Sequence, residues 1–419
     1  MFNHTLKVTA RTLVGGALIF GFALLCASLA NAADEPKEKN NVSAKMAKPL
    51  KAAQDDLTAK KYADAIGKLK EAEGTAGKSG YDQHVINEML KVAYARTQDY
   101  ANAAKAMEAE IDDGFVAPSE MAPLVRGLAQ VNYQIKNYDK AIEFGNRAIK
   151  GGFADDELKT LVGQAYYLKG DWKNTLHFEE TMIDAQVKEG KTPKSESLQL
   201  ALSACIKLND QACEERALER VVTYYPKPDY WYQLLFTVRQ QTSGNDANTL
   251  QTYRLMSEVD VLKNPDDYTE MAQLAIEAGS PGEAQKVLEK GMAKGVFADQ
   301  RAKDRNQRLL DNAKKAAATD QQALPRIEKE ADASPQGQKN VGVGLAYLGY
   351  GQYDKAVDEI SKGITKGGLR NENEARLLLG IAQLKAGHKD EATKSFHAVK
   401  GDPALERLAN LWSLHAKQA

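Results

Sequence analysis

Cysteine is nearly missing from this chain. Three occur in 419 residues, at positions 26, 205 and 213. That scarcity excludes a disulfide-framework fold and a cysteine-rich zinc module. Histidine is also sparse: His4, His84, His177, His388, His397 and His415. No two stand four apart on one helical face and none neighbours a cysteine, so no metal site is expected. Neither sign of charge dominates, with 56 Lys and Arg against 57 Asp and Glu. A nucleic-acid binder would carry a basic excess or stripe. No serine sits in a nucleophile-elbow context, and no carboxylate pair stands out from the many solvated ones. The reading is therefore non-catalytic, with no cofactor and no small-molecule substrate.

Long hydrophobic runs are lacking everywhere except near the start. There Lys7 and Arg11 precede "LVGGALIFGFALLCASLA" at 13–30, followed by Ala30-Asn31-Ala32. Positive flank, short apolar stretch and small-x-small site together read as a signal peptide cleaved after Ala32. The run is short for a spanning anchor. Leu25 before Cys26 is not the small residue a lipidation site wants. The expected location is the periplasm or an equivalent exported compartment. Residues 33–45, "ADEPKEKNNVSAK", are polar and charged and read as a disordered linker. Cys205 and Cys213 are then an even pair in an oxidising compartment, flanking the turn Asn209-Asp210, and a disulfide between them is expected.

What is abundant is repetition. "KKYADAIGKLKEA" (60–72), "QDYANAAKAMEAE" (98–110), "KNYDKAIEFGNRA" (136–148), "GDWKNTLHFEETM" (170–182), "GSPGEAQKVLEKG" (279–291), "GQYDKAVDEISKG" (351–363) and "GHKDEATKSFHAV" (387–399) are variants of one segment. In most, an aromatic precedes a small residue by three, as in Tyr62/Ala65, Tyr138/Ala141 and Tyr353/Ala356. The small residues Ala65, Ala103, Ala141 and Thr175 step by 38, 38 and 34. Twelve residues before them lie further small or apolar residues, including Ala53, Ala129, Gly163, Gly344 and Gly380. Apolar residues follow helical spacing, for example Leu377, Leu378, Ile381 and Leu384. Units at 195–222 and 300–335 are weak, and "DQQALPRIEKEADASP" (320–335) reads as a degenerate unit. Several units end alike: "AIKGGFADD" (148–156), "GMAKGVFADQ" (291–300), "GITKGGLRNE" (363–372) and, more loosely, "EIDDGFVAPS" (110–119). Glycine after a helix stops it, and Phe153, Val296, Leu369 or Phe115 can fold back on the last turn. A phosphate-cradling loop would place its glycines before a helix instead.

The linked positions resemble the tetratricopeptide repeat, whose pattern is W-x2-L-G-x2-Y, then A-x3-F, with a period near 34. "GVGLAYLGYGQYDKAVDEI" and "LLGIAQLKAGHKDEATKSF" match best. The resemblance covers nearly all of 46–401 and implies an all-α, right-handed α-solenoid of about nine to ten helix hairpins. It departs from the family in having one repeat tryptophan, Trp231, and few terminal prolines. "DPALERLANLWSLHAKQ" (402–418) is amphipathic, and 402–419 is expected to be a capping helix.

By the same resemblance, the first helix of each hairpin lines a concave groove for a protein or peptide. The implied groove residues are Arg126, Gln130 and Tyr133; Thr160, Gln164 and Tyr167; Gln199 and Ser203; Tyr232, Phe236 and Arg239; Thr269 and Gln273. Amides can bond a peptide backbone, and rings can cover its apolar groups. Corresponding positions near the C-terminus are apolar: Val341, Leu345, Leu348, Leu377, Ile381 and Leu384. Either a partner or the terminal helix must cover them, and the terminal helix is favoured. The export signal, glycine-ended units and "YPKPDYWYQL" are similar to exported proteins associated with TonB–ExbB–ExbD systems, which implies contact with membrane protein complexes. A cell-envelope assembly factor, or an envelope hydrolase with a helical-repeat region, are the alternatives.

Overall fold

The structure is a computed structural model and describes residues 40–418. The expected signal at 1–32 and most of the expected linker, 33–39, lie outside the described residues. Every regular element among the described residues is an α-helix, and there are twenty. They fall into two units that divide after Gln211.

The first unit holds α1 (Ala44–Thr58), α2 (Tyr62–Glu73), α3 (Gly80–Arg96), α4 (Tyr100–Asp112), α5 (Pro118–Gln134), α6 (Tyr138–Lys150), α7 (Asp156–Lys169), α8 (Trp172–Lys188) and α9 (Ser195–Leu208). Consecutive helices pack as hairpins, and each hairpin packs on the next. The first helix opens at Ala44, ahead of the expected 46, because Ser43 is pinned. The buried Asp82 carboxylate accepts the Ser43 amide at 2.9 Å and the Ser79 amide at 2.8 Å. Burial pushes the Asp82 carboxyl up, but these amides hold it below the usual carboxylate range.

The second unit holds α10 (Gln211–Tyr224), α11 (Pro228–Thr242), α12 (Asp246–Glu258), α13 (Pro265–Glu277), α14 (Pro281–Ala293), α15 (Gln300–Ala333), α16 (Gln338–Tyr350), α17 (Tyr353–Lys366), α18 (Glu372–Lys385), α19 (Lys389–His397) and α20 (Pro403–Gln418).

One backbone device recurs at the hairpin turns. The residue two places before the second helix has positive φ: Lys60, Gln98, Lys136, Gly170, Asn209, Gly244, Gly279, Gly351 and Gly387, between 54° and 96°. At all of these but Gly244 its amide bonds back three residues, as Gly170 does to Tyr167, which closes the first helix in a left-handed cap. A second left-handed residue follows many second helices, including Gly114, Gly152 and Gly295. The recurring glycine-phenylalanine endings are therefore helix stops. Phe153 lies back over Gly151, where a Cβ would meet its ring at 2.1 Å. Phe115 packs edge-on against Tyr81. In the 291–300 segment the buried residue is Phe297, not Val296, and it sits against the Tyr268 ring.

The small residues of the repeat let paired helices touch. A Cβ on Gly380 would lie 2.4 Å from Phe396, and one on Gly344 would lie 2.4 Å from Ile360. These partners occupy the last position of A-x3-F in their hairpins. Several core clusters form in this way between neighbouring helices.

Two expectations change. The weak unit at 300–335, with its degenerate segment at 320–335, is no hairpin: α15 runs unbroken for 34 residues through Pro325. No residue of 300–333 takes positive φ, so the left-handed turn that closes a first helix is missing there. Leu310, Ala317, Leu324 and Ala331, spaced by sevens, keep one continuous face buried. The cover of the apolar C-terminal positions is also shared. Leu405, Leu408, Leu411 and Trp412 of α20 are buried as expected. Val341, Leu345 and Leu348, however, pack in a cluster with Leu324, Ile327 and Ala331 of α15. Along α18, Gln251 of α12 bonds Glu374 at 3.3 Å, and Glu258 of α12 pairs with Lys385.

Candidate functional site: the first-helix face

In the first unit the implied groove residues meet across successive hairpins. The Tyr133 hydroxyl on α5 donates to Gln164 Oε1 on α7 at 2.8 Å. The Gln164 amide in turn donates to Glu196 on α9. One turn further along, the Tyr167 hydroxyl and Ser203 Oγ are 2.8 Å apart. Residues 31 to 36 apart in sequence can bond this way only if the first helices stack in repeat register. Arg126 pairs with Asp155 at 2.5 Å and Glu157 at 3.6 Å. Asp155 also caps α7 through the Leu158 amide at 2.9 Å. Gln130 is half-buried on the same helix. Thr160 turns back to the Asp156 carbonyl, and Gln199 bonds Ser195.

At one end of this row the surface becomes apolar. Tyr167 meets Trp172 edge-on at 5.1 Å, and the Lys207 ammonium lies 5.9 Å from the Trp172 ring centre. Leu168 and Ile206, next in sequence to Tyr167 and Lys207, are 45% and 44% exposed. These are the highest exposures among the large aliphatic side chains of the described residues.

In the second unit the row is more tied down. Tyr232 and Phe236 stack at 6.0 Å, with Lys263 4.2 Å over the Tyr232 ring. Arg239 donates to the Tyr253 hydroxyl at 2.6 Å and reaches Glu270 at 3.5 Å. The Tyr253 hydroxyl donates to Glu270 at 2.7 Å, and burial with that carboxylate pushes the phenol well up. Thr269 is not on an open face. It is buried and donates to Asn306 of α15 at 2.8 Å, because the long helix lies over it. Gln273 remains exposed. Trp231, Leu234 and Leu235 are core residues.

Cys205 on α9 and Cys213 on α10 are both disulfide-bonded. No group of three or more His, Cys, Asp or Glu able to hold a metal ion occurs among the described residues. No helix among them is long and apolar enough to cross a membrane.

Reasoning from sequence missed the buried ionisable groups. Arg254 and Glu283 form a two-point pair at 2.8 and 2.7 Å between α12 and α14. Lys91 pairs with buried Glu110 at 2.8 Å. The most unusual is Glu179 on α8, 2% exposed. It occupies the last A-x3-F position, where Leu69, Met107, Leu288, Ile360 and Phe396 stand in other hairpins and Gly145 in one. Its carboxyl fills the space above Gly163, where a Cβ would lie 1.9 Å from Oε1. Burial pushes the carboxyl up to about 7, against a hydrogen bond from Ser197. A carboxylate at a position where the repeat wants an apolar residue is the sequence signal that could have found it.

No family model and no curated protein matches the chain. Several solved structures resemble the chain at low identity. One is Naa15/Naa10 bound to HypK-THB, at 15% identity and TM-score 0.37, covering 87% of this chain and 60% of that one. Another is a tetratricopeptide repeat protein from Parabacteroides merdae ATCC 43184, at 12% identity and TM-score 0.28, covering 79% and 98%. A third is the pentatricopeptide repeat protein PPR10 from maize, at 15% identity and TM-score 0.30, covering 85% and 50%. The fold class rests on the chain's own helices: it is an all-α helical-repeat protein.

Proposed function

We propose that this protein is a non-catalytic scaffold that binds a protein or peptide along the first-helix face of its first unit. The observation that carries this reading is the row Tyr133–Gln164–Glu196 and Tyr167–Ser203. It offers half-buried rings and amides held in fixed positions on three stacked helices. Such groups can bond an extended backbone without first being ordered, which lowers the entropic cost of binding. The proposed location is the periplasm, reached through cleavage after Ala32. Disulfide-bonded cysteines are at home in that oxidising compartment. Accessory contact with a TonB–ExbB–ExbD membrane complex is the specialisation that the sequence resemblance suggests.

The test is affinity capture from a periplasmic extract. Wild-type protein should retain a stoichiometric partner. A variant carrying Tyr133→Ala, Gln164→Ala and Tyr167→Ala should lose it with unchanged helical content. A second variant, Tyr232→Ala with Phe236→Ala, should keep it. Capture that survives the first variant would overturn the assignment of the face.

A further inference from the structure

We propose that Glu179 is a proton-operated switch beneath the binding face: its protonated carboxyl holds α7 and α9 in register, and its ionisation parts them. The proposal rests on the binding face argued above and names what regulates it.

One carboxyl stands where both helices depend on it. Glu179 is 2% exposed and belongs to α8. Towards α7 its carboxyl lies over Gly163, so close that a Cβ there would be 1.9 Å from Oε1. Towards α9 it takes a hydrogen bond from Ser197. Each of these contacts is one residue away from the row on the face. Gln164 follows Gly163, Glu196 precedes Ser197, and the Gln164 amide donates to Glu196. The Tyr167–Ser203 bond at 2.8 Å spans the same two helices. Whatever parts α7 from α9 therefore breaks both of these bonds together.

The charged form is poorly solvated in this arrangement. An ionised carboxylate offers about four acceptor sites, and the Ser197 hydroxyl fills one. The surrounding charges do not make up the difference. On α9, Glu196 opposes ionisation. Lys194, just before that helix, favours it, but its ammonium is shared with Asp156 of α7 at 3.5 Å. On α7 the nearby titratable group is Tyr166, whose ring packs on Phe178 at 5.8 Å and whose hydroxyl accepts from Asn146 at 2.9 Å. On α8 itself Glu180 adjoins it, and His177, two residues back, is exposed. Burial accordingly raises the carboxyl from 4.5 to about 7. A raised value means that the protonated form stabilises the closed arrangement. That contribution is complete below pH 4.5 and is lost as pH climbs through about 7. Water reaches the carboxylate through a gap between the helices, so ionisation opens the face. Because α8 packs more closely on α9 than on α7, the α7 side is the one that yields.

The test is hydrogen–deuterium exchange of the full chain near pH 6 and near pH 8, corrected for the intrinsic exchange rate and read by mass spectrometry. In wild type, protection across α7 and α9 should fall about tenfold between these values, because the closed state holds one proton more than the open state over most of that range. Protection across α1 and α2 should not change. Glu179→Gln should be insensitive to pH. So should Glu179→Leu, which restores the residue that Leu69 and Leu288 supply in other hairpins. A loss of protection shared by wild type and Glu179→Gln, or seen in neither, overturns the switch. Affinity capture reads the consequence: a partner held by wild type near pH 6 should be released near pH 8 and stay on Glu179→Gln. Equal retention by the two proteins near pH 8 overturns the control of binding. Exchange is read on the protein alone. If capture survives Tyr133→Ala with Gln164→Ala and Tyr167→Ala, the binding face falls, and the exchange result still decides the switch.

Discussion

Glu179→Gln isolates the cost of ionising one carboxyl inside the repeat core. The side chain is 2% exposed and lies where the repeat otherwise places an apolar residue. Burial raises its carboxyl from 4.5 to about 7, with Glu196 adding to the rise and Ser197 and Lys194 opposing it. A carboxyl with a raised value in the folded state favours the protonated form there. Its favourable contribution is complete below pH 4.5 and is lost as pH climbs through about 7. The difference, 7 − 4.5, is 2.5 units, which converts to about 3 kcal/mol at 1.36 kcal/mol per unit. Glutamine has nearly the same shape, can accept the Ser197 hydroxyl and never ionises. Urea unfolding followed by far-ultraviolet circular dichroism should therefore give equal stabilities for variant and wild type near pH 4. Near pH 8 the variant should be the more stable, by about 3 kcal/mol. A difference that does not change with pH would refute the reasoning. So would a variant less stable than wild type at pH 8, since the ionised carboxylate would then be a favourable partner of Lys194 and Ser197.

Gly163→Ala should cost about 1–3 kcal/mol, because its methyl meets the Glu179 carboxyl. In the double variant with Glu179→Ala most of that cost should vanish, a coupling read from a double-mutant cycle of urea midpoints. Lys136→Gly relieves a left-handed non-glycine residue at φ 62° and should leave stability unchanged or raise it by up to about 1 kcal/mol by chemical denaturation. Trp412→Ala empties the space where α20 meets Phe396 and should cost about 3–5 kcal/mol, seen as a lower melting temperature of the second unit. Cys205→Ser with Cys213→Ser should lower stability by about 2.5 kcal/mol, and a reducing agent should do the same to wild type but nothing to the variant.

Periodicity made most of the helices legible. Tyr62, Tyr100, Tyr138, Trp172 and Tyr353 each open a second helix, and the small residues before them lie where helices touch. The turn position was legible where it is glycine, at 170, 279, 351 and 387, and hidden where Lys60, Gln98 or Lys136 adopts the same conformation. There local cap bonds, such as the Lys136 amide to the Tyr133 carbonyl and the Asn137 amide to the Asn132 carbonyl, hold the backbone against intrinsic preference. The face residues of α5, α7 and α9 were placed together by repeat register alone, since neighbouring units put equal positions side by side.

Local spacing thus determined the helical class, the hairpin period and which positions face which neighbour. Those properties depend on residues within one or two units, and the sequence states them directly. What only the tertiary structure decided is what covers what. The length of α15, the burial of Thr269 beneath it, and the bonds of α12 to α18 depend on contacts between segments far apart, 123 residues in the case of Gln251 and Glu374. The pushed-up carboxyl of Glu179 belongs to the same class: only the packed neighbours Gly163 and Ser197 decide how much water it loses. No local pattern encodes such contacts, because their energies come from surfaces that exist only once the helices have stacked.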